Sequence, residues 1–454
     1  MSWDPVPDLE AAAVLGQALR AAGYTEDAIV ERLGDDGPSA DTDDVPVFDR
    51  RLAHDELGDL IRLLLLHRPL SGPQIRGVPE LMKLGFVEQV GGRLVPRGRI
   101  VPTEGLYLAF DGFSEGLADP PGWVASFTPT SYWLASLTPR PRGRRSLDVG
   151  TGNGAHALFA AGHMQQVIAT DINERALAFT AIGAALNGMQ HIETRQGSLF
   201  GPVQGETFDL ITCNAPYVIS PERRWQYRDG GARGDEFSEQ VVRNAAAHLN
   251  DDGRAALVVS WLGKSEEDPD EHVHRWLEDS GCDAWVCALR GSDPLDHASA
   301  WIDDVDETEA GAVLDSWTEY LAELGAGWVT EGVVVLHKRS GSRHVVHAME
   351  IEEDDLEDSS AQAQRVLAAL ALIAENTYAS MRFRLVEDAW FREEIDHEGD
   401  ITDVTLMLDD GTQPELEIEP EELDILIDPA GVTVHSAGDD LVRSLLEQGF
   451  VEPF

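Results

Sequence analysis

The stretch that decides the fold is SLDVGTGNGAHAL, at residues 146–158. Its first four residues predict the end of a buried strand, and its alanine-rich end predicts a helix that starts near Ala155. Between them, Gly150, Gly152 and Gly154 allow positive φ and let a ligand come close to the backbone. Open α/β sheets bind ligands at this carboxyl edge of their strands. The segment therefore predicts an α/β sheet with a small-molecule site; the alternative is a glycine turn with a purely structural role.

The spacing of the turn distinguishes two classes of ligand. The dinucleotide fingerprint is G-x-G-x-x-G, whereas this chain has D-x-G-x-G-x-G and carries Ala155 where the fingerprint needs its last glycine. Asp148, inside the motif, would repel a pyrophosphate but attract a cationic ligand. Because S-adenosylmethionine carries an ammonium and a sulfonium, the motif favours it over NAD.

Positions outside the turn extend the predicted cofactor site. Asp171 ends the next strand, where a carboxylate can accept hydrogen bonds from ribose hydroxyls; the alternative is a helix N-cap. Ser198 and Leu199 follow the third strand, near the expected adenine. Thr130 precedes the first strand, where it contacts the cofactor or caps a helix. The predicted cofactor-binding set is Thr130, Asp148, Gly150, Thr151, Gly152, Asn153, Gly154, Asp171, Ile172, Ser198, Leu199 and Asn214.

A second segment, FDLITCNAPY at residues 208–217, predicts a substrate slot beside the cofactor. An amide or exocyclic amine nitrogen is a poor nucleophile because its lone pair is delocalised. The Asn214 side-chain oxygen and the Ala215 carbonyl can accept its N–H bonds and stabilise the developing cation, and the Tyr217 ring can stack on the flat group. We predict Asn214, Ala215, Pro216 and Tyr217 as catalytic residues; a plain turn is the alternative.

Residues 120–260 resemble the methyltransferase-small superfamily, in particular the release-factor glutamine N5-methyltransferases of the HemK/PrmC type. LDVGTGNGAHAL resembles their first motif, ATDIN their second, and NAPY their Asn-Pro-Pro-Tyr, with Ala215 in place of the first proline. The resemblance implies a seven-stranded, Rossmann-like class I methyltransferase sheet that binds S-adenosylmethionine. It also implies that Asn214 and Ala215 hold a glutamine amide of a release-factor-like protein substrate.

The pattern along the chain predicts three domains. Residues 1–112 predict helices followed by a hairpin that turns at Gly91 and Gly92, an order similar to a winged helix. Residues 113–342 alternate strand and helix patterns and predict the α/β methyltransferase domain. Residues 343–454 open with an acidic run and predict an α+β domain. The strands predicted for the central sheet are Arg145–Val149, Gln166–Thr170, His191–Gln196, Phe208–Cys213, Ala255–Ser260, Cys282–Leu289 and Gly332–His337.

Composition restricts the partners. The chain has 34 Lys+Arg against 82 Asp+Glu, a net charge of −48, and non-specific duplex binding depends on cations that neutralise phosphates. A nucleic-acid partner is therefore disfavoured. Three cysteines without CxxC spacing predict no disulfide framework and no metal site. The sequence shows no signal peptide or spanning segment, which predicts a cytoplasmic protein.

Three functions stay open at this level. The first is an enzyme that methylates a protein glutamine, and the strong negative charge favours a protein substrate. The second is an enzyme that methylates an exocyclic amine of RNA or DNA, served by a cluster of arginines after the tetrapeptide. The third is a binding protein that keeps the cofactor pocket without catalysis. The arginines of that cluster are Arg223, Arg224, Arg228 and Arg233.

Overall fold

The computed structural model describes residues 3–35, 37–38, 42–72, 75–113, 122–214, 216–221, 232–267, 269–300, 307–395, 397 and 401–454. The chain forms two compact units. The first comprises Met1–Ser131 with Gly143–Gln204, and the second comprises Tyr132–Arg142 with Gly205–Phe454. The three-domain division at residues 112 and 342 stays a prediction.

The described residues form helices in both units. In chain order the α-helices are α1 (Leu9–Ala21), α2 (Glu26–Leu33), α3 (Val45–Arg51), α4 (Glu56–Leu60), α5 (Val78–Lys83), α6 (Pro129–Leu137), α7 (Ala155–Ala161), α8 (Glu174–Leu186), α9 (Glu236–His248), α10 (Glu271–Leu277), α11 (Pro294–Ser299), α12 (Glu307–Glu323), α13 (Ser360–Glu375), α14 (Pro420–Leu426), α15 (Val434–Ala437) and α16 (Asp439–Glu447). None of the described helices is long and apolar enough to cross a bilayer.

The strands of the described residues follow the same numbering. They are β1 (Leu70–Ser71), β2 (Val87–Val90), β3 (Arg93–Pro96), β4 (Gly98–Thr103), β5 (Leu106–Asp111), β6 (Gly143–Val149), β7 (Met164–Asp171), β8 (Ile192–Gln196), β9 (Phe208–Cys213), β10 (Leu249–Gly263), β11 (Cys282–Ser292), β12 (Trp328–Lys338), β13 (Val346–Glu350), β14 (Phe383–Leu385), β15 (Ala389–Ile395), β16 (Ile401–Leu408), β17 (Glu415–Ile418) and β18 (Val451–Pro453).

The N-terminal part of the first unit contains the predicted helices and hairpin. The Asp8 carboxylate accepts from the Ala11 backbone N–H at 2.9 Å and so caps α1. The hairpin β2–β3 turns at Gly91 and Gly92, whose φ angles of +58° and +80° suit glycine. β4 pairs with β5 in a second hairpin, so the first hairpin ends at Pro96.

One hydrophobic core joins these helices to the glycine-loop region of the first unit. Leu15 of α1 and Phe179 of α8 are fully buried in it. The two helices approach closely at Gly16, where an added Cβ would lie 2.1 Å from the Leu186 carbonyl oxygen. Strands β6, β7 and β8 are parallel neighbours in that order, as an α/β domain requires.

The second unit holds five further strands of α/β type. β9 and β10 are parallel, β10 pairs antiparallel with β12, and β12 pairs antiparallel with β11. β11 pairs in parallel with β13. A large core cluster contains Trp133 of α6, Trp285 of β11 and Leu367 of α13. The region from residue 343 onward thus shares its core with the preceding strands, within one unit.

The α/β class is confirmed, but the predicted number of strands is wrong. Seven strands were expected for the α/β sheet. The described residues contain eight, β6 to β8 in the first unit and β9 to β13 in the second. All seven predicted strands are present, and β9 has the predicted bounds. The additional strand is β13, which lies in the segment assigned from sequence to the start of the C-terminal domain.

A buried carboxylate explains why β13 adds to the sheet. Asp283, at the start of β11, is fully buried. Its carboxylate accepts from the Arg339 guanidinium and, at 2.8 Å, from the Val345 backbone N–H just before β13. The hydrogen bond between Asp283 and Val345 therefore fixes the register of β11 and β13, in which Ala284 lies opposite Val346.

We predict that Asp283→Ala lowers the free energy of unfolding by about 3–5 kcal/mol, because it leaves the Arg339 guanidinium without its buried partner. The matched control is Glu415→Ala, which removes an exposed pair with Arg392 and should cost about 0–1 kcal/mol. Chemical denaturation of both variants measures the difference. Equal costs for the two variants would contradict the role given to Asp283.

Candidate functional site

The glycine turn after β6 has the conformation that the sequence predicts. Gly150, Gly152 and Gly154 have φ angles of +67°, +55° and +84°, a region that other residues rarely adopt. An added Cβ on Gly154 would lie 2.9 Å from Thr180 Oγ1 and 3.0 Å from Thr180 Cα. The turn therefore needs glycine at residue 154 both for its backbone conformation and for its contact with α8.

Asp148 lies at the end of β6 and is buried, with 1 % of its surface exposed. Its Oδ2 accepts from the Thr151 hydroxyl at 2.7 Å. The Thr151 backbone N–H donates to the Thr170 carbonyl of β7 at 2.9 Å, so the residue that orients the carboxylate is itself held by the neighbouring strand. A buried carboxylate oriented in this way suits a cationic ligand better than a phosphate.

Asp171, at the end of β7, holds the glycine turn from the other side. Its Oδ2 accepts from the Gly152 backbone N–H at 3.0 Å, and its Oδ1 accepts from the Asn173 backbone N–H at 2.8 Å. Burial raises the pKa of this carboxyl, and the backbone hydrogen bonds oppose that rise. The N-cap alternative for Asp171 is wrong, because α8 is capped by Asn173, whose side chain accepts from Arg175 N.

The other residues of the predicted cofactor set lie around the same turn with different exposures. Asn153 is buried; its side chain donates to the Ala125 carbonyl and accepts from the Ala155 N–H, both at 3.0 Å. Ile172 and Ser198 are exposed after their strands, where a ligand has access. Leu199 is half-buried with φ of +47°, an uncommon value for leucine.

Thr130 does not cap a helix. It lies in the first turn of α6, and the capping group is the Thr128 hydroxyl, which accepts from the Ser131 backbone N–H at 3.2 Å. The Thr130 hydroxyl lies 3.2 Å from the same Thr128 oxygen. The residue is half-buried, and its predicted contact with a cofactor stays a prediction.

The predicted substrate residues follow β9 in the second unit. Asn214, Pro216 and Tyr217 are half-buried, while Ala215 lies outside the described residues. Tyr217 packs against a small cluster that contains Ala298 and Trp317. Its stacking on a planar substrate group stays a prediction.

Most of the predicted arginine cluster also lies outside the described residues, which resume at residue 232. Within the described part of the chain, no three His, Cys, Asp or Glu side chains form a metal-binding group.

The sequence did not reveal which groups fix the turn. The Asp171–Gly152 hydrogen bond joins residues that are 19 positions apart in the sequence. The two hydrogen bonds of the Asn153 side chain are made by a residue inside the glycine motif, where the sequence gives no sign of them. The one available signal was the ATDIN segment, in which Asp171 stands two residues before the capping Asn173.

Comparison with known proteins assigns this region to a family. Residues 126–268 match the family model of the methyltransferase small domain. These residues form a methyltransferase small domain. The match covers β6 to β10, and so includes the glycine turn, Asp171 and the tetrapeptide. It confirms the predicted resemblance, and with it a domain that uses S-adenosylmethionine.

Curated relatives share the same region. The release factor glutamine methyltransferase of Xylella fastidiosa strain Temecula1 is 33% identical over 130 residues, which cover 26% of this chain and 47% of the relative. The ribosomal protein uL3 glutamine methyltransferase of Bradyrhizobium diazoefficiens is 33% identical over 164 residues, 32% of this chain and 50% of the relative. This chain thus spans about half the length of these relatives.

Among solved structures, the YcgJ protein from Bacillus subtilis aligns at 17% identity with a TM-score of 0.30. The alignment covers 44% of this chain and 94% of that chain.

We predict that Gly154→Ala destabilises the chain by about 1–3 kcal/mol more than Gly188→Ala. Both glycines have similar positive φ, +84° and +73°, so both substitutions carry the backbone strain. Only at Gly154 does the new methyl group meet other atoms, since nothing lies within 4 Å of the corresponding position on Gly188. Overpacking of this kind typically costs about 1–3 kcal/mol. Thermal unfolding of the two variants tests the difference, and indistinguishable midpoints would contradict the contact with Thr180.

Proposed function

We propose that this chain transfers a methyl group from S-adenosylmethionine to the side-chain amide nitrogen of a glutamine in a protein. The observation that carries the proposal is the placement of two carboxylates at the glycine turn, the buried Asp148 and the half-buried Asp171, in a region that matches the methyltransferase small domain. Two relatives are named as glutamine methyltransferases, one of a release factor and one of ribosomal protein uL3, which supports glutamine as the acceptor.

The proposal gives each carboxylate a separate part of the cofactor. Asp148 faces the cationic part, because the Thr151 hydroxyl orients its carboxylate inside a buried site. Asp171 accepts from the ribose hydroxyls. A carboxylate has about four lone-pair sites. The backbone N–H groups that donate to Asp171 do not occupy all of them, so ribose hydroxyls can also donate. When bound, S-adenosylmethionine supplies an electrophilic methyl group on a sulfonium.

The tetrapeptide acts on the acceptor. The Asn214 side-chain oxygen and the Ala215 carbonyl accept the two N–H bonds of the glutamine amide, and Tyr217 stacks on its plane. These acceptors stabilise the positive charge that develops on nitrogen, and a fixed orientation can contribute up to roughly 7–11 kcal/mol to the barrier reduction. The methylated nitrogen is acidic enough to lose its proton to water, so the proposal needs no strong general base.

Methylation of a nucleobase amine is the second candidate. The same acceptors suit an exocyclic amine, but the net charge of −48 opposes a nucleic-acid substrate.

The chemistry of the product separates the two candidates. The full chain is incubated with methyl-labelled S-adenosylmethionine and, as acceptors, a bacterial release factor, ribosomal protein uL3 or total RNA. Hydrolysis of an N-methylated side-chain amide releases labelled methylamine, whereas a methylated nucleobase keeps its label through protein hydrolysis. Label in either protein, recovered as methylamine, is the expected result. Label that only nuclease renders acid-soluble would overturn the protein assignment.

Two variants test the division of roles. We predict that Asp148→Asn, which keeps a side-chain oxygen for Thr151 but removes the charge, weakens binding of S-adenosylhomocysteine about 10- to 100-fold, the value of one hydrogen bond to a charged group. Asn214→Ala should keep the wild-type affinity and lower kcat by about 10²–10³.

Calorimetry measures the affinities and label incorporation measures kcat. The matched control for the asparagine is Asn250→Ala, which removes a side chain that donates to Asp209 in the same unit and should leave both quantities unchanged. Unaltered affinity in Asp148→Asn, or wild-type turnover in Asn214→Ala, would remove that residue from the proposed mechanism.

A further inference from the structure

Close to the tetrapeptide, the second unit buries titratable side chains against one another. Glu331 of β12 and His297 of α11 are each only 3% exposed. His297 Nδ1 lies 4.0 Å from Glu331 Oε1, and Arg290 Nη1 of β11 lies 3.5 Å from Glu331 Oε2. Burial of a carboxylate is costly unless it is paired and hydrogen-bonded, yet Glu331 Oε2 accepts no hydrogen bond from the described residues.

This cluster contacts the segment that carries the candidate stacking ring. His297 Nε2 lies 3.0 Å from the carbonyl oxygen of Ile219, two residues after Tyr217. The Trp317 ring lies 5.8 Å from the His297 ring, centroid to centroid, and Tyr217 packs on the cluster that contains Trp317. A change in His297 is therefore transmitted to the Tyr217 segment through one hydrogen bond and one ring contact.

The hydrogen bond determines the tautomer of His297. A carbonyl oxygen only accepts, so Nε2 must carry the hydrogen and donate it to Ile219. Burial lowers the pKa of His297, which keeps the ring neutral near pH 7. A neutral ring with its hydrogen on Nε2 presents a bare lone pair at Nδ1. The nearest Glu331 oxygen, Oε1, lies 4.0 Å from this nitrogen.

Glu331 can meet this lone pair only in its acid form. The pKa of Glu331 is raised to about 7, mainly by burial; Arg290 opposes the rise and the nearby Glu353 adds to it. Near neutral pH, the side chain therefore passes between a carboxylic acid and a carboxylate. The acid has an O–H to donate toward Nδ1, and a movement of about 1 Å brings the two atoms within hydrogen-bond distance. The carboxylate has none and is attracted to Arg290.

We propose that Glu331 and His297 are positioning residues, in which the acid form of Glu331 donates to His297 Nδ1 and the pair holds the Tyr217 segment through the Ile219 carbonyl. When Glu331 releases its proton to solvent, the donor to Nδ1 is lost, and the His297 ring keeps its Nε2 hydrogen bond to Ile219 without support on the Nδ1 side. The charged or titratable groups that act on this pair are Arg290, Glu353 and, through Arg290, Tyr217. The functional meaning of the device, control of the acceptor slot by pH, rests on the proposed function.

The sign of the effect follows from the direction of the pKa shift. The folded state raises the pKa of Glu331 above its ordinary value of 4.5 to about 7, so it favours the acid form. Ionisation of Glu331 therefore lowers the free energy of unfolding. This loss is absent below pH 4.5 and complete above about pH 7. Relative to Glu331→Gln, the wild-type chain should therefore lose stability as the pH rises through this window.

The chain offers a single-site probe for the segment. The dipeptide Ile-Ser occurs once in the sequence, at Ile219-Ser220. Full-length protein labelled with ¹³C-carbonyl isoleucine and ¹⁵N-serine gives one peak in an HNCO spectrum, and that peak reports the carbonyl that His297 contacts. In the wild type, we expect the carbonyl shift to titrate with a midpoint near pH 7. In Glu331→Gln, whose amide remains a donor to Nδ1 at every pH, the shift should stay at the low-pH value.

Two variants of His297 complete the test. His297→Gln retains a donor near the Nε2 position and should keep most of the carbonyl shift without the titration; His297→Ala should lose both. Binding of S-adenosylhomocysteine, measured by calorimetry, verifies that each variant is folded. A wild-type peak that does not move between pH 5.5 and 8.5, or one that still titrates in Glu331→Gln, would overturn the proposal. The experiment needs no methyl acceptor, so its outcome is independent of whether glutamine is the substrate.

Discussion

The hydrogen bonds of Asp171 are the constraint on which the cofactor site depends. One carboxylate oxygen holds the backbone of Gly152 and the other holds Asn173, the residue that caps α8. A glycine turn is flexible by composition, because glycine loses more conformational freedom on folding than any other residue. A single side chain at the end of β7 thus fixes both the turn that approaches the ligand and the start of the next helix.

Buried acids serve different purposes in the two units. Asp283 has a complete set of partners, and its role is to attach a strand. Asp148 is oriented by the Thr151 hydroxyl and the half-buried Asp171 by backbone N–H groups, and the proposed function assigns both carboxylates to the cofactor. Glu331 has an ion-pair neighbour but an oxygen that accepts no hydrogen bond within the described part of the chain, which is the arrangement expected of a group that changes its protonation. The large negative charge of the whole chain reveals none of these distinctions.

The sequence predicts the regular strands well because their cause is local. Phe208–Cys213 is a short run in which most residues are apolar or β-branched, between Thr207 and Asn214, and the structure has the predicted bounds. β13 was missed because Val346–Glu350 has no strong strand pattern of its own; it becomes a strand through Asp283, more than 60 residues earlier. After α4, the chain continues as a π-helical turn at Ile61–Leu65, and the sequence carries no glycine or proline within that turn to signal the change.

The candidate site also contains features with a local cause in the sequence and features that depend on distant residues. The glycine positions follow from a short motif whose backbone requirement is local. The groups that form hydrogen bonds with the turn cannot be found from this motif, because Asp171, Thr180 and Ala125 lie on other segments of the chain. His297 and Glu331 are separated from Tyr217 by 80 or more residues, and their common environment exists only after β11, α11 and β12 have packed.

The most direct test of the account is a crystal structure of the full chain with S-adenosylhomocysteine. The account predicts the ligand on the glycine turn, with its ribose hydroxyls on Asp171 and its ammonium on the Asp148 side. A ligand bound away from Gly152, or a ribose that makes no contact with Asp171, would contradict it.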